Sequence, residues 1–473
     1  MFIGKSDEMS RRLFLRRSGQ LAAMGAASSY ALGLAGLGEA AAFNAGSDYK
    51  ALVCIFLYGG NDHNSMLIPF DAANYARYAT IRGGDGEGGG GLTPARADLA
   101  ATALRVPDGQ VTTNDVTYAL GSTMPRLKNL YDAGDMAPLL NVGPLLAPMT
   151  RAQYDNKTVP RPPKLFSHND QQSTWQAYSA EGATVGGGGR LGDLALSSNH
   201  NALFTCISTS GNAVFLSGER ALSYQISTGG AIPVNGIKRG LYGSRAAGEA
   251  LSELLTQANP HVLAADHAAI TKRSIEAEAF VTAALDPISL ATSFTPDTGG
   301  SGLARQLEIV ARLIGARSAM GVKRQVFMVS MGGFDTHDDQ PTRHPELMAE
   351  LDFAMAAFHA ATVELGVANN VTTFTASNFG RTLASNGDGS DHGWGSHHLV
   401  VGGAVNGGRY FGTAPAISLQ TADQVGNGRL LPSTSVDQYM GTLGRWFGVS
   451  NSELGMIAPN IERFQTPDLG FMG

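Results

Sequence analysis

Charge is scarce in this 473-residue chain, where Asp, Glu, Lys and Arg together make up 16% of the residues. Such a composition is neither that of a disordered chain nor that of a coiled coil. Basic residues are fewer than acidic ones, 34 against 40, and the formal net charge is −6. This balance argues against nucleic acid or anionic membrane as partners, because phosphate backbones demand dense basic patches. Cysteine is nearly missing. The two present, Cys54 and Cys206, each sit in an apolar run and form neither a disulfide framework nor a CxxC metal site. They stand either as a pair in an oxidising compartment or as two buried thiols. No internal repeat is present. What abounds is glycine, with 60 residues, which predicts many tight turns and loops rather than long helices. The length gives ample material for a large core and for one to three domains.

The first 42 residues read as a targeting segment. Ser10-Arg11-Arg12-Leu13-Phe14-Leu15-Arg16 looks like a twin-arginine export signal, followed by small and apolar residues from Leu21 to Leu37 and an A-x-A-like cleavage site at Ala40-Ala41-Ala42. A span so rich in Gly, Ala and Ser, ending in a cleavage pattern, is not expected to remain as a membrane anchor. The export machinery is then a partner, and the mature protein begins near Phe43 and works in the periplasm or outside the cell. Its 29 basic and 37 acidic side chains leave it more acidic than the whole chain.

Along the mature chain, short continuous apolar runs alternate with helical patterns. Ala51–Leu57, Ala137–Val142, Gln325–Val329 and the run from Val371 have the character of parallel strands buried on both faces. Between them, Met124–Ala133, the segment after Asn169, Ala304–Met320 and Pro345–Leu365 read as helices, with Asn169 or Asp170 suited to cap the second. Strand and helix in alternation predict an α/β layered fold. Residues 190–300, Gly- and Ser-rich with short apolar runs, read as a β-rich or irregular insertion.

Chemistry collects where three of these strands end. The first is followed by Gly59-Gly60-Asn61-Asp62, the second by Gly332-Gly333-Phe334-Asp335-Thr336-His337. The third opens a Gly-, Asn- and Asp-rich loop that runs from Asn378 to Asp391-His392 and His397-His398. Imidazole nitrogen and carboxylate oxygen are the usual ligands of zinc and similar divalent ions. Loops at the carboxyl ends of parallel strands are where such sites form. Residues i and i+2 of an extended segment point the same way, so Asp335 and His337 are expected to face one ion.

Four motifs in order, LVCIFLYGGND, SHNDQQSTWQ, GGFDTHDDQ, and SNFGRT with DHGWGSHH, resemble the bacterial family DUF1501 over essentially the whole mature chain. The resemblance implies one alkaline-phosphatase-like domain from residue 43 to 473, an α/β/α sandwich with a mostly parallel central sheet and residues 190–300 as a Gly-rich insertion. It implies metal ligation by Asp62, Asp335, His337 and His397 or His398, with His392 close by and His168 either a ligand or a donor to one. At Asn378 the family more often carries an acid, so a full two-metal site depends on Asp391 and His392 for the missing ligands. The superfamily's nucleophile at a helix N-terminus points first to Ser167, then to Ser65 and Thr174. Arg381 is the candidate clamp for a tetrahedral anion, or else a structural ion-pair partner. No C-x-P-x-R motif is present, which excludes a formylglycine sulfatase. The expectation is an exported hydrolase of phosphate or sulfate esters, acting on a small molecule or polymer. Its divalent ion is expected to be zinc first, with calcium, manganese or magnesium as alternatives. A non-catalytic binding protein on the same fold is the rival.

Overall fold

The computed structural model describes residue 43 and residues 46–473, apart from 108, 109, 111 and 298. The twin-arginine segment and its cleavage site lie outside the described residues. Seven strands carry the fold: Lys50–Leu57 (β1), Met136–Gly143 (β2), Cys206–Ser208 (β3), Ser223–Ser227 (β4), Arg324–Met331 (β5), Val371–Ser377 (β6) and Ser396–Val401 (β7). They belong to one ten-stranded sheet whose central order is β2, β7, β6, β1, β5, β3, β4. β1 runs parallel to both β5 and β6, and β3 runs parallel to β5 and β4. Only β7 among these seven opposes its neighbours, pairing antiparallel with β2 and β6.

Burial of both sheet faces explains the continuous apolar runs. Along β1, Val53, Ile55 and Leu57 enter one core while Leu52, Cys54 and Phe56 enter another. The first core packs under helices Pro125–Ala133 (α1), Val262–Leu285 (α2), Gly302–Gly315 (α3) and Gln340–Glu364 (α4). The second packs under Gly187–Ala195 and Val436–Phe447. The result is three layers, helices on both faces of a mostly parallel sheet, as the alternation of patterns predicts. Cys54 and Cys206 are both buried and free. They lie on strands flanking β5 and level with residues two apart on it, so two strand spacings of about 4.8 Å plus that offset hold them beyond the reach of a disulfide.

Several expectations need correction. Residues 190–300 hold more helix than strand, with Arg245–Thr256 and the 24-residue α2, and they also supply β3 and β4 of the central sheet; α4 reaches 25 residues despite the glycine content. Alanine-rich α2 has high helix propensity but little apolar stripe to betray it. α4 begins at Gln340 and keeps Pro345 inside it. The helix from Ala304 breaks at Ala316, with Arg317–Met320 as a separate turn. The stretch from Asn378 to His398 is no open loop: Arg381–Ser385 and Ser390–His392 form an antiparallel ribbon, and β7 starts at Ser396. Among the described residues, no helix is long and apolar enough to cross a membrane.

Candidate metal centre

The ends of β1, β5 and β6 meet through close backbone approach. Gly59 has φ +114°, and a Cβ on it would lie 2.4 Å from the Asp335 amide nitrogen. Only glycine tolerates both conditions. Arg381, fully buried, ties the same segments together. Its Nη1 donates to the Gly59 carbonyl at 3.2 Å and to Asp335 Oδ1 at 3.0 Å, while Nε donates to the Ser390 carbonyl at 3.1 Å.

Around Asp335 three imidazoles converge. His168 Nε2 lies 3.3 Å from Asp335 Oδ2, and His337 Nε2 and His392 Nε2 lie 3.2 and 3.3 Å from Oδ1. The two Nε2 atoms of His337 and His392 are 2.8 Å apart. One ligand atom each from His168, Asp335 and His392 fits within 4.8 Å of the others. His168 opens a helix, His168–Ala177 (ten residues, between β2 and β3). The site is open to solvent, with the Asp335 side chain 45% exposed.

Hydrogen bonding fixes the tautomer of His392. Its Nδ1 is 2.8 Å from the Phe166 carbonyl, which only accepts. The proton therefore sits on Nδ1 and the Nε2 lone pair faces Asp335 and His337. Phe166 adopts φ +72°, a strained conformation for an aromatic residue. Burial first, with His168 and the Arg381 charge nearby, holds the His392 pKa below the usual histidine range. Partial burial raises the Asp335 carboxyl, but the Arg381 hydrogen bond and charge outweigh it and hold the group below its ordinary value. A neutral imidazole lone pair and an ionised carboxylate are the forms a metal takes. Ligand atoms about 2.0–2.2 Å from one tetrahedral ion stand about 3.3–3.6 Å from each other. The imidazole–Asp335 distances of 3.2–3.3 Å match this, whereas His337 and His392, 2.8 Å apart, are too close for both to be ligands of one such ion. The donor set fits zinc, since calcium and magnesium favour all-oxygen sites.

The other sequence-predicted residues are placed elsewhere. Asp62 is fully buried and saturated: Arg82 Nη2 at 2.5 Å, Ser65 Oγ at 2.6 Å, Gln340 Nε2 at 2.5 Å and the Asn64 amide at 3.2 Å surround its carboxylate. It serves as the cap of the turn His63–Met66 rather than as a ligand. His397 and His398, successive on β7, point to opposite faces of the sheet. His397 packs against His63 and Tyr118, and His398 against Trp175 and Tyr439. The Asn141 amide donates to His397 Nδ1 at 3.0 Å, so the neutral ring keeps its proton on Nε2 and offers a metal no lone pair. Asn378 acts as a staple: its Oδ1 accepts from the Gly59 amide at 2.9 Å and its Nδ2 donates to Gln172 Oε1 at 3.2 Å. Asp391 Oδ1 stands 3.5 Å from His337 Nδ1, behind that ring.

Nor are the nucleophile candidates free. The Ser167 hydroxyl donates to Asp170 Oδ2 at 3.0 Å, that of Ser65 to Asp62, and that of Thr174 to the Asp170 carbonyl at 2.7 Å. Arg381, buried with its donors on carbonyls and Asp335, is a structural ion-pair partner and not an anion clamp. Reading the sequence leaves out the Phe166 carbonyl, for which no side-chain pattern exists, and Arg82, twenty residues from its partner. Replacing Asp62 by alanine strands the buried Arg82 guanidinium and is expected to destabilise the fold by about 3–5 kcal/mol. Urea unfolding measures it, and a change within 1 kcal/mol contradicts the pairing.

No curated protein matches the chain in sequence. Among solved structures, the lipoteichoic acid synthase LtaP from Listeria monocytogenes aligns with 89% of this chain and 75% of its own, at 9% identity and a TM-score of 0.33. The C-terminal periplasmic domain of EcEptC from Escherichia coli, in complex with Zn, aligns over 86% and 84%, at 8% identity and 0.35. The PsFucS1 sulfatase from Pseudoalteromonas sp. aligns over 85% and 68%, at 10% identity and 0.34. Residues 240–455 match the model of the DUF1501 family, proteins of unknown function, a span narrower than the whole mature chain and inclusive of Asp335, His337 and His392.

Proposed function

We propose that the chain is an exported, metal-dependent hydrolase of phosphate or sulfate esters. One observation carries the reading: three imidazoles, from three separate segments, surround a single ionised carboxylate at an open surface. Structural zinc sites are closed by their four protein ligands, whereas catalytic ones stay open to substrate. His168, Asp335 and His392 would hold a zinc-like ion and leave its fourth position open, with His337 beside them. When bound, such an ion polarises an ester oxygen and lowers the pKa of water. The chain's own groups prepare the site. Phe166 orients His392, Arg381 keeps Asp335 ionised, and Asp391 backs His337. Water is the second substrate, and an alcohol and a phosphate or sulfate are the products. Export to the periplasm or beyond rests on the Arg11-Arg12 segment alone.

The binding-protein reading has one observation in its favour: Ser167, Ser65 and Thr174 all have their hydroxyls engaged, and Arg381 has no free face for an anion. A panel of phosphomonoesters, phosphodiesters and sulfate esters on zinc-loaded protein separates the two. Hydrolysis is expected that falls to the uncatalysed rate with chelator, returns with zinc, and is lost in His392→Ala. Retained zinc with no turnover across the panel would favour the binder.

A further inference from the structure

We infer that Gln340 is a positioning residue that sets the spacing of the metal ligands from behind, an inference that rests on reading the cluster as a metal centre. Gln340 is the first residue of α4 and is 2% exposed. Its side-chain amide has two donors and two acceptor lone pairs, and all four are engaged. Nε2 donates to Asp62 Oδ2 at 2.5 Å and to Ser65 Oγ at 3.3 Å. Oε1 accepts from Ser390 Oγ at 2.6 Å and from Thr336 Oγ1 at 3.2 Å. Only this orientation works, because a flipped amide would turn its oxygen on the Asp62 carboxylate.

The two hydroxyls bound by Oε1 belong to the segments that carry the ligands. Thr336 lies between Asp335 and His337, and Ser390 lies two residues before His392. Their backbones also meet, with the Ser390 amide donating to the Thr336 carbonyl at 3.2 Å. One carbonyl oxygen therefore fixes both segments relative to each other, while the amide nitrogen anchors them to Asp62. That anchor is firm: Asp62 and Arg82 form an ion pair with both side chains fully buried. Asp62, which the sequence offers as a ligand, acts on the site through Gln340 instead. Partners that orient ligands from behind typically contribute about 10–100-fold to metal affinity.

The test compares zinc affinity, by chelator competition, and the cobalt(II) d–d spectrum in the wild type, Gln340→Met, Thr336→Val and Gln325→Met. Gln325 is a matched control, a buried bridging glutamine at the far end of β5, where it accepts from Tyr49 Oη and donates to the Phe204 carbonyl. The expected result is zinc binding weakened about 10–100-fold in Gln340→Met, with a shifted cobalt spectrum, and both unchanged in Gln325→Met. Thr336→Val, which removes one of the four bonds, is expected to shift both in the same direction by less, and it carries the test if Gln340→Met fails to fold. Wild-type affinity and spectrum in Gln340→Met and Thr336→Val would overturn the inference while leaving the metal centre standing. Equal weakening in Gln325→Met would reduce the effect to general stability and overturn it as well. A wild type that binds no zinc removes the centre and the inference together.

Discussion

Asp335→Ala is expected to abolish zinc binding, a loss larger than the roughly 10–100-fold that removing a partner behind the ligands produces. Asp335 is the one group that all three imidazoles contact, at 3.2–3.3 Å, so its removal takes away the shared centre of the cluster. The same change exposes a second role. Among the described residues, the one ion pair of buried Arg381 is with Asp335. Loss of that charged hydrogen bond is expected to cost about 2 kcal/mol of stability. Asp335→Asn separates the two effects, since an amide oxygen still accepts from Arg381 but is a poor metal ligand. Equilibrium dialysis against zinc and urea unfolding read them independently. Zinc bound by Asp335→Ala as by the wild type would remove Asp335 from the site.

Mild acid is expected to destabilise this protein sharply, over a pH range where most globular proteins keep their stability. Burial pushes the His63 and His344 pKa values down to about 4 and that of His398 to about 3, and it holds His397 well below the usual histidine value. In the unfolded chain all four titrate near 6.5. Between these limits the unfolded state binds protons that the folded state refuses, so stability falls as pH falls. From pH 7.5 to 5.5 His63, His344 and His398 together lose about 4 kcal/mol, and His397 adds to the loss in the same direction. Asp437, whose carboxyl burial raises to about 6, acts in the opposite sense by about 1 kcal/mol over the same interval. A net loss of about 3 kcal/mol or more is a large share of the 5–15 kcal/mol typical of a folded domain. Urea unfolding at pH 7.5, 6.5 and 5.5 reads the loss. A stability that changes by less than 1 kcal/mol across that range would show that these rings are not held neutral by burial.

Particular residues show how far the sequence could be read. The run from Ala51 to Leu57 declares a strand buried on both faces, and it is one. Asp335 and His337, two apart behind a strand and a Gly-Gly pair, are expected to face the same point, and the structure sets His337 Nε2 3.2 Å from Asp335 Oδ1. His168 is a candidate in the sequence through the resemblance alone, and the structure makes it the first residue of the helix whose expected cap was Asn169 or Asp170. Asp62 looks equivalent to Asp335 in sequence, each acid following a strand and two glycines. What separates them is Arg82, brought under Asp62 by the helix Ala72–Ile81, a contact that no local pattern encodes. His397 and His398 misled for a different reason: two adjacent histidines suggest one site, yet inside a strand the pleat sends them to opposite cores. The sequence that follows them, Leu399-Val400-Val401, already had the character of a strand buried on both faces.

Anomalous diffraction at the zinc absorption edge, on crystals of the protein loaded with zinc, tests the metal centre most directly. A single strong peak about 2.0–2.2 Å from His168 Nε2, His392 Nε2 and an Asp335 carboxylate oxygen is the expected result. The absence of any peak at Asp335, or a peak between His63 and His397 in its place, would contradict it.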